Sequence, residues 1–167
     1  SAGRNTVRRF KPEAAADGDR EEEVTMRATG LACPYCHRPA TFLPSSESIY
    51  HGRDYGPVWI CKPCDAWCGC HPGTNRPLGR LANAELRAAK IRVHAAFDPI
   101  WKNRLAEKSA IDPRYTKGMA RGGRYKRLAE LLGIPKERCH IGEFDVELCM
   151  RAIAVCESGA MEKCDAK

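Results

Sequence analysis

The sequence lacks any long apolar run. No window approaches the roughly 20 apolar residues of a transmembrane helix, and residues 1–23 contain no apolar core of the kind that secretory signals carry. We also find no internal repeat. These absences favour a protein without membrane spans, and we expect it in the cytoplasm.

Cysteine, by contrast, is abundant, with ten residues in a chain of 167. In a secreted protein this number would indicate a disulfide scaffold. In the reducing cytosol, closely spaced cysteine pairs hold metal more often than they form disulfides. A chain of this length fits one domain, or one small module attached to a second.

Two C-x-x-C pairs, separated by 24 residues, predict a metal site. In a zinc ribbon each such pair occupies a tight turn, and two turns together supply four thiolates to one tetrahedral ion. We predict one structural Zn²⁺, because a closed four-cysteine site leaves no open position for water. A redox dithiol is less favoured, since it normally uses one C-x-x-C beside a βαβ unit. The predicted ligands are Cys33, Cys36, Cys61 and Cys64.

Two further cysteines and a histidine follow the second pair, in the stretch DAWCGCH. If this stretch is a strand, Cys68 and Cys70 point to the same face. Free cysteine packs as a small hydrophobic residue, and we favour that role for both. The alternative is a second metal site, with ligands drawn from Cys70, His71, Cys139, His140 and Cys149.

The chain divides by composition into four parts. Residues 1–30 hold a basic and then an acidic cluster with few apolar residues, and we expect a flexible arm. Residues 31–79 contain the short runs ATFL and PVWIC between turn residues, which predicts short strands in a zinc ribbon. Residues 80–158 have helical periodicity and residues 159–167 form a tail. The predicted fold class is α+β, an antiparallel ribbon followed by a small helical bundle that packs on it.

Several helical segments are predicted beyond the ribbon. Apolar residues recur at three- and four-residue steps from about Asn83 onward. Asp98 followed by Pro99 is a typical start of a helix, so we predict that a new helix restarts there. Further helices are predicted over residues 123–132 and residues 145–157.

Positive charge is concentrated in the middle of the chain. Residues 80–127 carry thirteen basic and four acidic side chains, against a net charge of +7 for the whole chain. Basic groups neutralise phosphates and aromatic rings stack on unpaired bases, so this segment and the ribbon aromatics Tyr55, Trp59 and Trp67 favour single-stranded or distorted nucleic acid as the partner. Against this, tryptophan in a small domain is usually part of the core. The candidate contacts are Arg114, Lys117, Arg121, Arg124, Tyr125, Lys126 and Arg127.

Two other functions remain open at the level of sequence. The mixed-charge arm could order on a protein partner, which would make the chain an interaction adaptor. An enzyme, such as a metal-dependent or histidine-dependent nuclease, is the least favoured, because the candidate polar residues show no recognisable catalytic spacing. The polar residues without an assigned role are His71, Asn83, His94 and His140.

Three motifs outside the cysteine pairs are distinctive. They are HPGT-x-RPLG-x-LAN from His71, H-x-x-FD-x-x-W from His94, and HIG-x-F from His140. With these motifs, residues 31–157 resemble a family of bacterial and phage zinc-finger-containing proteins catalogued as a domain of unknown function. The resemblance implies a ribbon like those of type IA topoisomerases and a cytoplasmic protein, in the host cytoplasm if it is phage-encoded. It implies no activity.

Overall fold

A computed structural model describes residues 31–162, which contain a three-stranded antiparallel sheet followed by three α-helices. The predicted α+β fold, with a cysteine-rich ribbon before a helical part, is confirmed. The predicted arm at residues 1–30 and the last five residues of the predicted tail lie outside the described residues. The elements are β1 (Thr41–Leu43), β2 (Val58–Cys61), β3 (Ala66–Gly69), α1 (Ala84–Ile111), α2 (Lys117–Leu132) and α3 (Val146–Glu157).

Strand β2 lies at the centre of the sheet and all four of its residues are buried. Its indole residue Trp59 is paired with Phe42 of β1 and with Cys68 of β3. The Trp59 side chain is 5% exposed, and its Nε1 donates to the carbonyl oxygen of Asn75 at 2.7 Å. Trp59 is therefore part of the ribbon core and its ring is closed to a ligand.

Helix α1 runs without interruption through Pro99, so the predicted restart at Asp98 is wrong. Proline lacks the N–H that would bond to the carbonyl of Ala95. Both Ala95 and Pro99 are exposed, so water can satisfy that carbonyl. Asp98 does not cap a helix, because its Oδ1 accepts a hydrogen bond from Trp101 Nε1 at 3.0 Å.

Helix α2 begins six residues before the predicted start at Gly123. Thr116 caps it, since the Thr116 hydroxyl accepts from the backbone N–H of Met119 at 3.3 Å. The glycines in its first half favour a later start, because glycine costs about 1 kcal/mol relative to alanine within a helix. Packing overrides that preference: Ala120 is buried in this half of the helix. The helix ends at Gly133, which has a φ of 67°.

Helix α3 matches its prediction, with Asp145 as the capping residue at its start. The three helices enclose one apolar core, because α1 contacts both α2 and α3 along its length. Phe97 from α1, Leu128 from α2 and Cys149 from α3 are all fully buried in it. None of the helices within residues 31–162 is long and apolar enough to cross a membrane.

Candidate metal centre and adjoining cleft

The four predicted ligands, Cys33, Cys36, Cys61 and Cys64, come together at one end of the sheet. Their Sγ atoms all lie within 4.8 Å of one another, and Cys36 Sγ is 3.6 Å from Cys61 Sγ. A tetrahedron with Zn–S bonds of about 2.3 Å has S···S edges of about 3.8 Å, so the spacing fits a single Zn²⁺. Four thiolate donors in tetrahedral geometry suit Zn²⁺ and disfavour the hard cations Mg²⁺ and Ca²⁺. The predicted structural zinc site is confirmed.

The two halves of the site are built alike. In the first, Cys33 N–H donates to Arg38 O at 2.8 Å and His37 N–H donates to Cys33 O at 2.9 Å, which closes a tight turn. In the second, a single 3₁₀ turn runs from Lys62 to Cys64. Each turn ends in a left-handed residue directly after its second cysteine, His37 with φ 59° and Asp65 with φ 47°. This shared geometry aims all four sulfurs at one point.

The ionisation of the thiols fits a cation site. A hydrogen bond from the backbone N–H of Arg38 lowers the pKa of Cys36 to about 7. The hydrogen bond with Cys36 raises the pKa of Cys64 to about 12. The thiols therefore compete for negative charge, and a divalent cation at their centre allows all four to be thiolates.

Both turns are tied to the start of α1. The Tyr35 hydroxyl accepts from Asn83 N–H at 3.2 Å, and the Asn83 side chain accepts from Leu86 N–H at 3.0 Å. Arg87 donates to Asp65 O at 2.8 Å, and its guanidinium carbon lies 3.4 Å from the centre of the Trp67 ring. Asn83, which had no assigned role, is thus a helix cap. Trp67 has its face covered by an arginine, a contact that nothing in the sequence pattern indicates.

The surplus cysteines pack as predicted. Cys68 and Cys70 lie against the apolar core of the ribbon, and Cys68 Sγ donates to Gly79 O at 3.2 Å. Burial raises the pKa of the Cys68 thiol to about 11. Within residues 31–162, no other group of three or more His, Cys, Asp or Glu side chains comes within range of a shared ion. The second metal site weighed from the sequence is therefore not assembled in this part of the chain.

The basic segment is only partly on the surface. Arg114, Lys117, Arg121 and Lys126 are exposed and Arg127 is half-buried. Arg124 is buried and donates to Met161 O at 2.7 Å, while Tyr125 is 7% exposed and packs on Phe97 with ring centroids 4.6 Å apart. Arg124 and Tyr125 therefore belong to the interior and are removed from the candidate contacts.

A cleft of about 1180 Å³ separates the loop that follows β3 from the helices, and His71, His94 and His140 all line it. Two glycines bring its walls together: Arg80 N–H donates to Gly142 O at 3.1 Å, next to Gly79. The motifs that begin at His71 and His140 thus meet at one place, although 68 residues lie between the two histidines in the sequence. Arg76 and Arg80 belong to the motif that begins at His71, whereas the sequence did not indicate that arginines from the helical part join them. The lining arginines are Arg76, Arg80, Arg121, Arg138 and Arg151.

Two of the cleft histidines have fixed neighbours. His94 Nδ1 lies 3.4 Å from Asp98 Oδ1, and the same oxygen is held by Trp101. The ring of His140 lies against that of Tyr125, with centroids 5.2 Å apart. Because Nδ1 of His94 faces Asp98, Nε2 is its nitrogen available to a ligand.

A family model described as a zinc-finger-containing domain of unknown function matches residues 29–158. This match covers the ribbon, the cleft and all three helices. No curated protein and no solved structure matches the chain.

Proposed function

We propose a nucleic-acid-binding function for this chain, which belongs to the zinc-finger-containing domain family. The observation that carries the proposal is an exposed basic strip formed by Arg114, Lys117 and Arg121. The Arg114 side chain is 91% exposed, and Lys117 and Arg121 are exposed as well. The sequence has no acidic residue between Asp112 and Glu130, but Asp112 itself pairs with Arg114, with Oδ1 3.1 Å from Arg114 Nε. The positive potential of the strip therefore comes mainly from Lys117 and Arg121.

Helix geometry decides which basic residues can act together. Lys117 and Arg121 are four residues apart and share one side of α2. Lys126 lies about 140° around the helix from Arg121, since each residue turns the helix by about 100°. Arg127 is engaged elsewhere, because its half-buried guanidinium donates to Ala160 O and pairs with Glu130, both at 3.4 Å. The strip is therefore the part of the basic segment that suits a phosphate backbone, and Lys126 serves as an internal control.

Exposed rings on the ribbon support a single-stranded partner. Trp59 and Trp67 have their faces covered, but Tyr55 is 67% exposed and Tyr50 lies edge-on to it at 4.9 Å between centroids. A base stacked on an aromatic ring gains about 1–3 kcal/mol. Duplex DNA does not offer its bases for such stacking, so the preference is for unpaired strands.

The test measures binding of fluorescent single-stranded DNA and RNA at about 50 and about 200 mM salt. We expect binding that weakens steeply with salt, and Arg114→Ala or Lys117→Ala to reduce the slope of log K against log salt by about 1 each. Lys126→Ala is the matched control and should leave the slope unchanged. Undetectable binding at the lower salt, or equal effects of all three substitutions, would remove the proposal.

A protein-interaction role is the second candidate, and the exposed aromatic residues of the ribbon favour it. Tyr50 is 40% exposed beside Tyr55, and Phe42 and Tyr35 are 36% and 39% exposed. Aromatic residues are enriched in protein interfaces relative to the rest of the surface. A pull-down after nuclease treatment tests this role: one stoichiometric protein, lost with Tyr55→Ala, would support it over nucleic acid.

A further inference from the structure

We propose that the cleft between the loop after β3 and the helices binds a nucleotide, either free or at the end of a nucleic-acid strand. The second form rests on the proposed function. The volume of about 1180 Å³ exceeds the range of about 300–1,000 Å³ typical of small-molecule sites, so the cleft accommodates a group larger than a bare phosphate.

Arginines from both walls of the cleft can contact a phosphate. Arg76 and Arg80 lie on the loop after β3, and Arg121 reaches the cleft from the basic strip on α2. The Nε of Arg80 is buried without a hydrogen-bond partner in residues 31–162, while its Nη1 lies 3.8 Å from Asp145 Oδ2. The guanidinium fork also matches phosphate geometry.

Histidines supply further polar groups. His94 is oriented by Asp98, so its Nε2 is left for a ligand in the cleft. His71 lies at the start of the loop that carries Arg76, and the backbone pair His71 N–H to Arg76 O, at 2.9 Å, keeps the two residues close. A ligand in the cleft would thus be contacted by His94 from α1 and by His71 and Arg76 from the loop after β3.

Carboxylates in the same cleft favour a nucleotide over a bare anion as the ligand. Glu137, Glu143 and Glu147 line it together with the arginines. Carboxylates repel phosphate, yet they accept hydrogen bonds from hydroxyl and amino groups. A ligand that suits this mixed lining carries a phosphate at one end and donors at the other, as the ribose and base of a nucleotide do.

Apolar residues complete the site. Leu78, Leu81, Ile134 and Ile141 line the cleft beside the charged groups. Ligand sites typically combine such apolar surface with a few convergent polar groups. The face of a nucleobase matches this surface, whereas inorganic phosphate would leave it unused.

The site also connects to the basic strip. Arg121 belongs to the strip and lines the cleft, and Lys117 lies one helical turn before it. A strand bound along the strip would lead its end into the cleft. The structure thus offers one continuous surface for a strand and its terminal nucleotide.

The experiment uses calorimetry on the full chain with zinc, with AMP, GMP, CMP and UMP as separate probes, and with adenosine and inorganic phosphate as comparisons. We expect at least one mononucleotide to bind saturably, and adenosine and phosphate to bind at least about tenfold more weakly, which is 1.4 kcal/mol. Arg76→Ala and Arg80→Lys should each weaken that binding about fivefold to tenfold, and Arg92→Ala, on the exposed face of α1, should not.

A second arm uses oligonucleotides with and without a 5′ phosphate. If the 5′ phosphate increases the affinity for the oligonucleotide and Arg76→Ala abolishes that increase, the cleft binds strand ends. If mononucleotides bind but the 5′ phosphate does not increase the affinity, the cleft binds free nucleotides. Circular dichroism and zinc content confirm that each variant is folded. If no mononucleotide binds and the 5′ phosphate has no effect, the cleft proposal is wrong even where strand binding along Arg114 and Lys117 is intact.

Discussion

Gly79 and Gly142 lie so close together that neither has room for a Cβ atom. A Cβ on Gly79 would come within 2.9 Å of Gly142 Cα, and a Cβ on Gly142 would lie 2.7 Å from Leu78 O. The obstructing atoms belong to the backbone and cannot rotate away. This crossing joins the loop after β3 to the segment before α3, and it sets the distance between the walls of the cleft.

Substitution of either glycine should therefore destabilise the protein. We expect Gly79→Ala and Gly142→Ala each to cost about 1–3 kcal/mol, or more, since overpacking against rigid neighbours is not relieved by rotamer changes. Gly122→Ala is the control. Nothing lies within 4 Å of its Cβ position on the exposed side of α2, so it should stabilise the protein by about 0.5–1 kcal/mol. Chemical denaturation of the three variants at neutral pH measures these differences, and equal effects would contradict the crossing.

The zinc content of cysteine variants distinguishes the metal ligands from the surplus cysteines. We expect the purified protein to hold one zinc per chain, Cys61→Ser to lose it, and Cys68→Ser to retain it. Loss of the ion should also loosen the start of α1, because Tyr35 and Asp65 in the two turns hold that helix. Mass spectrometry under native conditions counts the zinc, and limited proteolysis near Asn83 reports on the helix. Zinc loss in Cys68→Ser would show that the ligand set is different.

The zinc ligands were predictable because the chemistry of a four-thiolate site fixes residue type and spacing. Strand β2 was predictable from a short apolar run, whereas the course of α1 through Pro99 was not. That course depends on which side of the helix faces water, and only tertiary packing decides it. The burial of Arg124 and Tyr125 was missed for a similar reason: a charge count does not reveal which side chains reach a backbone carbonyl such as that of Met161. The histidine cleft depends on long-range contacts that no local spacing encodes.

Lys90 should give the protein a measurable dependence on alkaline pH. Its Nζ donates to Gly142 O at 2.6 Å, and burial lowers the pKa of this amine. The unfolded chain therefore binds a proton more tightly than the folded chain, so stability rises with pH between the lowered pKa and the ordinary value of about 10.4. The Lys90→Met variant has no amine at this position, so its stability lacks this dependence on pH. Its Gly142 O still accepts a hydrogen bond from Arg80 N–H.

We accordingly expect wild type to gain stability relative to Lys90→Met as the pH rises from about 8 to about 10.5. Thermal unfolding of both proteins across this range gives the difference directly. Lys126→Met provides the control, because Lys126 is exposed and its substitution should leave the pH profile parallel to that of wild type. A constant difference between wild type and Lys90→Met would mean that the Lys90 amine titrates alike in the folded and unfolded chains.

The left-handed residue that closes each cysteine turn offers a last test. His37 has a φ of 59° and an exposed side chain, so a residue without Cβ fits its backbone better. A left-handed conformation costs an ordinary L-residue about 1–2 kcal/mol, and the cost is greater for a β-branched one. His37→Gly should therefore be neutral or stabilising by up to about 1 kcal/mol, because relief of the left-handed strain is offset by the greater conformational entropy of glycine in the unfolded chain. His37→Val should be destabilising. Zinc affinity measured by competition with a chelator should follow the same order, since the turn must form to bring Cys33 and Cys36 onto one ion. If valine were tolerated as well as glycine, the turn would not depend on this conformation.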